Sequence, residues 1–307
     1  MAATRTASLA LRIVLAALVL AGLAACARSG NYVARLQEPE PMVEARMDVE
    51  AQIQVASLAP VPVYRVPHRG DNDPHPGVFD VAKRMPIQGL DVARYQGRVD
   101  YATVRNQGVH FVFIKGTEGK DYIDPMFAEN WRKAGEAGME RGVYHFMTWC
   151  SLARDQAAWF VRNMPNDPDA LPPVLDIEWN NHSVCKNTHN KEDILEKIRV
   201  MLAAMEKHTG KLPIIYTDIG FHRDILAGEH FPNTFWLRST AAEPHEKYER
   251  RPWTFWQWTQ TGTVAGIKTE VDRNVFYGTP AEWTAFVKTG CDPRAIAALS
   301  ATGRCSL

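Results

Sequence analysis

The chain has 307 residues, and its 35 basic and 35 acidic side chains give a formal net charge of zero. A neutral balance provides no general attraction to nucleic acid or to a strongly charged polymer, so neither is expected as a partner. Function must therefore come from a localised site.

The N-terminal segment, residues 1–26, has the pattern of an export signal. Arg5 and Arg12 precede an apolar run that ends at Cys26 and is too short to span a bilayer comfortably. Its end, Leu-Ala-Ala-Cys, resembles a bacterial lipobox, which implies lipidation of Cys26 and a membrane anchor. Ala27, in place of Asp, indicates the outer membrane facing the periplasm. The alternative is an ordinary secretory signal, and both interpretations place the protein outside the cytoplasm.

Four further cysteines are Cys150, Cys185, Cys291 and Cys305. Their spacing fits no zinc motif, and an even number outside the cytoplasm predicts two disulfide bonds. Proximity in sequence favours Cys291 with Cys305, which leaves Cys150 to pair with Cys185. The alternative, a set of buried free thiols, is disfavoured in an oxidising compartment.

The composition divides the rest of the chain into three segments. Residues 27–85 have little apolar periodicity and become rich in proline, which predicts an extended tether. Residues 86–288 have the composition of one globular domain. Residues 289–307 form a C-terminal tail that contains the last two cysteines.

Short apolar runs alternate with charged amphipathic segments in the globular domain. The predicted strands are residues 87–92, 109–115, 141–146, 173–178, 212–217, 234–239, 253–258 and 271–276. The predicted helices are residues 101–106, 124–137, 152–163 and 193–208. The alternation predicts an α/β fold with a parallel sheet covered by helices. A regular first half and a strand-rich second half favour an irregular, TIM-barrel-like (β/α) barrel over an open doubly wound sheet.

Acidic residues recur where these strands end. Asp91 closes the first strand and Glu118 follows the second, while Asp176 and Glu178 close the fourth and Asp272 lies in the last. The C-terminal strand ends of a barrel carry its chemistry, so these acids are predicted to meet at one rim. Asp176 and Glu178 share a strand face at about 6 to 7 Å, where repulsion and desolvation push two pKa values apart. Glycoside hydrolysis uses such a pair, and the alternative is a structural ion pair or two solvated acids.

Six stretches resemble, in order, the motifs of glycoside hydrolase family 25, the lysozymes that cleave peptidoglycan as N-acetylmuramidases. They are residues 89–97 (GLDVARYQG), 111–119 (FVFIKGTEG), 141–146 (RGVYHF), 171–178 (LPPVLDIE), 213–217 (PIIYT) and 256–274, which starts with WQW and ends with VDRN. The resemblance implies an irregular barrel whose groove binds glycan strands. It also implies retaining hydrolysis of the β-1,4 bond between N-acetylmuramic acid and N-acetylglucosamine. We expect a monomer without cofactor or metal.

The resemblance implies roles for the matching residues. Glu178 matches the general acid/base that protonates the leaving oxygen and then activates water. Asp176 matches its partner, which attacks the anomeric carbon or orients the substrate's acetamido group. Asp91 and Asp272 match acids that hold substrate or tune the pair. Expected substrate contacts are Glu118, Tyr144, Tyr216, Trp179, Trp256 and Trp258, with Trp236 as a further stacking candidate.

Two departures from the family pattern concern the groove wall. Gly116 stands where alanine is usual, and residues 235–240 depart from the usual run of tryptophan, an apolar residue and alanine. The polar stretch 180–191 predicts a long loop beside the catalytic strand. The retained acids favour an active muramidase. The alternatives are a non-catalytic cell-wall-binding lipoprotein that uses the same groove and a hydrolase of another extracytoplasmic polysaccharide.

Overall fold

The computed structural model describes residues 75–180 and 190–292. Predictions for the signal segment, Cys26, the tether before residue 75, Cys185 and Cys305 lie outside the described residues. Within the described residues, no helix has both the length and the apolar character needed to cross a membrane.

The strands form one sheet that closes on itself. Its order is β1-β9-β8-β7-β6-β5-β4-β2-β3, and β1 also pairs with β2, which leaves β3 as a hairpin partner of β2. The strands are β1 Ile87–Val92, β2 Val109–Glu118, β3 Tyr122–Ile123, β4 Glu140–Phe146, β5 Val174–Ile177, β6 Ile214–Thr217, β7 Phe235–Arg238, β8 Phe255–Gly262 and β9 Val271–Phe276. The predicted α/β barrel is confirmed.

Helices connect the strands unevenly. They are α1 Pro76–Arg84, α2 Tyr101–Asn106, α3 Phe127–Glu136, α4 Ala153–Asn163, α5 Lys191–Thr209, α6 Ile219–Phe221, α7 Pro244–Lys247 and α8 Pro280–Thr289, with a 3₁₀ turn at Arg94–Gln96 and a π-helical turn at His222–Leu226. The connections after β6 contain only short helices, as the sequence predicts. Strand β9 runs antiparallel to both β8 and β1, whereas the other barrel neighbours are parallel.

Aromatic rings fill the barrel interior, and two glycines make room for them. A Cβ atom on Gly89 would lie 2.2 Å from the ring of Phe111, and one on Gly142 would lie 2.7 Å from the ring of Phe113. No side chain fits at these two strand positions without displacing a ring. The small residue on one strand and the large residue on its neighbour therefore pack as a complementary pair.

Helix α8 closes the amino-terminal end of the barrel. Its Trp283 ring lies 5.2 Å from Phe111, and its Phe286 ring lies 5.2 Å from Phe255, measured between centroids. This helix is not among the predicted elements. Its signals are a capping box at Thr279 and a left-handed glycine directly after the last turn.

The start of the domain corrects the predicted tether boundary. Residues 76–84 form α1, with proline at the first helical position, so this part of the chain is helical rather than extended. Val78 and Ala82 are buried in the layer between helices and sheet. Gln88 of β1 donates its side-chain amide to the carbonyl oxygens of Ala82 at 2.9 Å and Met85 at 2.8 Å. These contacts attach α1 to the first strand.

Candidate active site

A cavity of about 680 Å³ opens at the C-terminal ends of the parallel strands. Its lining is Asp91, Tyr95, Lys115, Glu118, Tyr144, Phe146, Asp176, Glu178, Asn180, Tyr216, Trp236, Gln257, Gln260 and Asp272. The structure thus brings together all five acids that the sequence predicts at one rim. They come from four strands and the residues that directly follow them.

Asp176 and Glu178 form the centre of the lining. Asp176 lies opposite Tyr216 in the pairing of β5 with β6, and its Oδ1 atom is buried with no hydrogen-bond partner among the described residues. Burial and then the neighbouring charge of Glu178 raise the pKa of Asp176 well above its ordinary value. Burial and then the charge of Asp218 raise the pKa of Glu178 to about 7, against the opposing effect of Arg238. Glu178 therefore keeps its proton in weakly acidic solution.

Asp91 accepts hydrogen bonds from two buried amides. Asn274 Nδ2 lies 2.7 Å and Gln257 Nε2 lies 3.1 Å from the same oxygen, Asp91 Oδ2. Behind them, Trp236 Nε1 donates to Asn274 Oδ1 at 2.8 Å, and the Tyr216 hydroxyl donates to Gln257 Oε1 at 2.8 Å. Every donor in this network points toward Asp91, which therefore acts as an acceptor.

Asp272 lies directly opposite Asp91 in the antiparallel pairing of β9 with β1. Burial, the charge of Asp91 and a hydrogen bond to Asp91 raise the pKa of Asp272 well above its ordinary value. The amide donors and Asp272 partly offset the effect of burial on the pKa of Asp91. The two carboxyl groups are therefore coupled, and burial favours the neutral form of both. In the described part of the chain, no three His, Cys, Asp or Glu side chains are grouped as for a metal ion.

Two further predicted contacts, Glu118 and Tyr144, also face the cavity. Glu118 is bound by Lys115 at 2.6 Å, and Lys115 Nζ lies 5.0 Å from the centre of the Phe146 ring. Burial and the charge of Asp91 raise the pKa of Tyr144 well above its ordinary value, so Tyr144 stays a neutral hydroxyl. Lys115 and Phe146 are not among the predicted site residues. Lys115 brings a positive charge to the wall of the cavity.

The structure places three predicted tryptophans outside the cavity. Trp256 and Trp258 are buried in the layer between sheet and helices, because residues alternate along β8 and Gln257 takes the inward position. Trp256 donates instead to the carbonyl oxygen of Ser239 at 2.8 Å. Trp179 donates to Asp224 at 2.9 Å. These positions do not support stacking of the three tryptophans on a sugar in the cavity. Trp236, by contrast, lines the cavity.

Four further residues at or beside the cavity are not among the predicted site residues: Asp218, Gln257, Gln260 and Asn274. Asp218 continues the inward face of β6 two residues after Tyr216, and it accepts a hydrogen bond of 2.7 Å from the main-chain N–H of Phe221. This alternation is the signal that identifies it. The two glutamines and the asparagine become identifiable only once the pairing of β8, β9 and β1 is known.

Cys150 and Cys291 are the two predicted disulfide cysteines that lie within the described residues. Cys150 follows the rim residue Trp149, whereas Cys291 follows Gly290, which packs near Pro172 at the opposite end of the barrel. The two cysteines therefore lie at opposite ends of the barrel. Their predicted partners, Cys185 and Cys305, lie outside the described residues.

Comparisons with known proteins agree with this geometry. The family model described as Glycosyl hydrolases family 25 matches residues 90–267. YegX of Escherichia coli K12 is 36% identical over 225 residues, which are 68% of this chain and 78% of that protein. Lysozyme M1 of Streptomyces globisporus is 32% identical over 207 residues, 65% of this chain and 70% of that protein. A family 25 glycosyl hydrolase from Bacillus anthracis has a similar structure, with a TM-score of 0.62 at 36% identity over 66% of this chain and 94% of that one. The chain belongs to glycosyl hydrolase family 25.

Proposed function

We propose that this hydrolase is a retaining muramidase that cleaves the β-1,4 bond between N-acetylmuramic acid and N-acetylglucosamine in peptidoglycan. The names of relatives support the substrate: Lysozyme M1 is one, and an N,O-diacetylmuramidase of Arthroderma benhamiae is 28% identical over 211 residues. The observation that carries the proposal is the pair Asp176 and Glu178, whose raised pKa values occur in a cavity open to a polymer.

Glu178 is proposed as the general acid/base. With a pKa of about 7 it holds a proton at the pH where the anionic form of an ordinary glutamate predominates. It gives this proton to the glycosidic oxygen as the bond from that oxygen to the anomeric carbon breaks. The resulting carboxylate then takes a proton from the water that completes hydrolysis.

Asp176 is proposed to stabilise, as a carboxylate, the positive charge that develops at the anomeric carbon. The charge of Glu178, which raises the pKa of Asp176, is absent while Glu178 holds its proton. The Oδ1 atom of Asp176 has no hydrogen-bond partner among the described residues, and the residue lines the cavity. It acts by direct attack on that carbon or by holding the acetamido group that attacks in its place. Asp91 and Asp272 lie in the same lining and are proposed to hold the substrate or to tune the central pair.

Product analysis tests this function. Purified peptidoglycan is digested, reduced with borohydride and examined by mass spectrometry, and new ends at reduced N-acetylmuramic acid are expected. Glu178→Gln keeps the shape of the side chain but removes its titratable proton, so turnover should fall by roughly 10² to 10⁴. New ends at N-acetylglucosamine would contradict the bond assignment. Wall binding by the wild type without any new ends would favour the non-catalytic alternative.

We further propose that Cys26 is lipidated and that the enzyme is anchored in the outer membrane. The sequence before this cysteine supports the proposal, because it resembles a lipobox. A fatty-acid analogue supplied to growing cells should label the wild type and should not label Cys26→Ser. Unlabelled wild-type protein in the soluble periplasmic fraction would instead support an ordinary secretory signal.

The proposed disulfide pairing is Cys150 with Cys185 and Cys291 with Cys305. The position of Cys150 at the rim supports a partner in the loop that follows β5, and the position of Cys291 supports a partner in the tail. Peptide mapping without reduction identifies the pairs directly. A peptide that joins Cys150 to Cys305 would contradict the pairing.

A further inference from the structure

An aromatic and cationic surface lies at the rim of the cavity, outside the acid cluster. Tyr95 lines the cavity and is nevertheless 67% exposed. The guanidinium carbon of Arg94 lies 5.0 Å from the ring centre of Tyr95 and 5.6 Å from that of Tyr122. Arg94 also donates to the hydroxyls of Tyr122 at 3.1 Å and Tyr95 at 3.4 Å. We refer to Arg94, Tyr95 and Tyr122 as the rim platform.

The rim platform is held in place by buried contacts beneath it. The main-chain N–H of Arg94 donates to Asp124 Oδ2 at 2.9 Å, and Asp124 is only 2% exposed. The other oxygen of Asp124 accepts from the main-chain N–H of Met126 at 2.9 Å. This carboxylate thus ties the turn after β1 to the segment after β3. A backbone segment that is ordered before binding loses less conformational entropy when a ligand packs on it.

The rim platform carries a positive charge that no described carboxylate neutralises. The side-chain hydrogen bonds of Arg94 go to the two tyrosine hydroxyls, and no ion pair joins it to an acid in the described ranges. Lys115, which also lines the cavity, is by contrast bound to Glu118 at 2.6 Å. Arg94 therefore keeps N–H groups for an external anion, and a guanidinium prefers the planar geometry of a carboxylate.

Single exposed tyrosines are common on protein surfaces, and most have no ligand. This one differs because it continues the lining of the cavity and because an unneutralised arginine lies against it. An aromatic face packs against the C–H face of a sugar ring, while the adjacent guanidinium binds an acidic substituent. The combination selects a sugar that bears a carboxylate.

We propose that the rim platform is a binding subsite for a carboxylate-bearing sugar of the glycan strand, away from the bond that is cleaved. Tyr95 packs on the sugar ring and Arg94 binds the carboxylate. The proposal rests on the proposed function for the identity of the strand. The carboxylate belongs to the lactyl group of muramic acid in strands without peptides, or to the attached peptide in intact strands.

Kinetics on long and short substrates test the subsite. Tyr95→Ala and Arg94→Gln should each raise KM for long strands about tenfold, the ratio that corresponds to roughly 1.4 kcal/mol. Their kcat on long strands and both constants on the shortest cleavable oligosaccharide should match the wild type. Tyr95→Phe retains the ring and should retain most of the affinity. Tyr277→Ala is the matched control, because Tyr277 is 45% exposed and follows β9 at the opposite end of the barrel.

Binding to the inactive Glu178→Gln protein, measured by calorimetry, separates the sources of the carboxylate. Strands stripped of peptides, intact strands and carboxyl-amidated strands are compared with and without the Arg94→Gln change. If Arg94→Gln weakens the binding of stripped strands only, the carboxylate belongs to the lactyl group. If it weakens the binding of intact strands only, the carboxylate belongs to the peptide. Equal affinity of both proteins for every strand, or an unchanged KM in Tyr95→Ala, would overturn the subsite although the wild type still cleaves peptidoglycan. A wild type that cleaves no peptidoglycan would refute the proposed function, and calorimetry would still decide whether the platform binds these strands.

Discussion

The indole Nε1 atom of Trp149 donates a hydrogen bond of 3.0 Å to the main-chain carbonyl oxygen of Glu178. The indole ring itself is stacked on Phe221, with centroids 5.0 Å apart and planes inclined by 16°. Two residues earlier in both segments, the main-chain N–H of Met147 donates to the carbonyl oxygen of Asp176 at 2.9 Å. The segment after β4 therefore fixes the backbone of both central acids from the side.

Trp149→Phe should reduce kcat, whereas a similar substitution away from the active site should not. Phenylalanine retains the stacking on Phe221 but removes the hydrogen bond to Glu178, whose net value is about 0.5 to 1.5 kcal/mol. A loss of this size in the transition state lowers the rate by up to about tenfold. The control is Trp256→Phe, which removes an indole hydrogen bond to the carbonyl oxygen of Ser239 in the layer between sheet and helices. Thermal unfolding and steady-state kinetics should show comparable losses of stability but a loss of kcat only in Trp149→Phe. Equal kcat values in the two variants would contradict the positioning role.

Asp218→Asn should move the basic limb of the pH–activity profile to lower pH. Asp218 follows Thr217, which pairs with Ile177, so Asp218 and Glu178 occupy adjacent positions on neighbouring strands. The negative charge of Asp218 raises the pKa of Glu178, and removing it makes ionised Glu178 more favourable. The acid form is then lost at a lower pH. The remaining charges around Glu178, those of Lys115, Arg238 and Asp91, are unchanged.

The substitution also retains the local structure, because asparagine keeps the side-chain oxygen that accepts from the N–H of Phe221. The measurement is kcat/KM between pH 4 and 9, with thermal unfolding as a check on folding. A basic limb at the wild-type position, in a variant of unchanged stability, would show that Asp218 acts only as a helix cap.

Glu178→Gln should stabilise the protein at pH 8 and leave its stability at pH 4 nearly unchanged. The pKa of Glu178 is higher in the folded state than in the unfolded chain, so the unfolded chain loses its proton first as the pH rises. Wild-type stability from this group is therefore present below the unfolded pKa and is lost as the pH rises through about 7. The free energies of unfolding of the two proteins at pH 8 should differ by roughly 3 kcal/mol at most. Denaturant unfolding of both proteins at the two pH values measures it, and equal stabilities at pH 8 would contradict the raised pKa.

Gly89→Ala should destabilise the barrel. The added Cβ atom would lie 2.2 Å from the Phe111 ring, so the ring or the strand has to move. Overpacking of this kind costs about 1 to 3 kcal/mol. Gly77→Ala is the control, because Gly77 lies in α1 with no atom within 4 Å of the added Cβ. It should be neutral or stabilising by up to about 1 kcal/mol. A Gly89→Ala protein as stable as the wild type would show that the interior tolerates the methyl group.

Most of the barrel and its acids could be predicted because both follow from local periodicity. Strand β1 and helix α2 have the predicted bounds, since an apolar run with turn residues on both sides is a strong local signal. Convergence of Asp91, Asp176 and Glu178 follows from the rule that parallel strands end at one rim.

The partners of these acids depend on register between strands that are distant in sequence. Asn274 reaches Asp91 across 183 positions of the chain, and the motif alone does not show which face of β9 it occupies. The same uncertainty about faces applies to Trp256 and Trp258, which the alternation along β8 turns toward the helices. The sequence predicts extended chain at helix α1 for another reason. Proline is frequent in extended segments, but it also fits the first turn of a helix.

The reversed direction of β9 has a consequence for engineering. Ile87, where the main chain enters the barrel, pairs with Phe276, where it leaves the sheet, at the end opposite the acids. Helix α8 returns beneath the barrel, and Asp292 bonds there to Thr254, the residue before β8. A fluorescent or affinity domain joined after Asp292 would therefore emerge at the floor of the barrel. Such a fusion would leave the mouth of the groove open to an insoluble wall fragment, so immobilised enzyme could be presented to whole sacculi in a defined orientation.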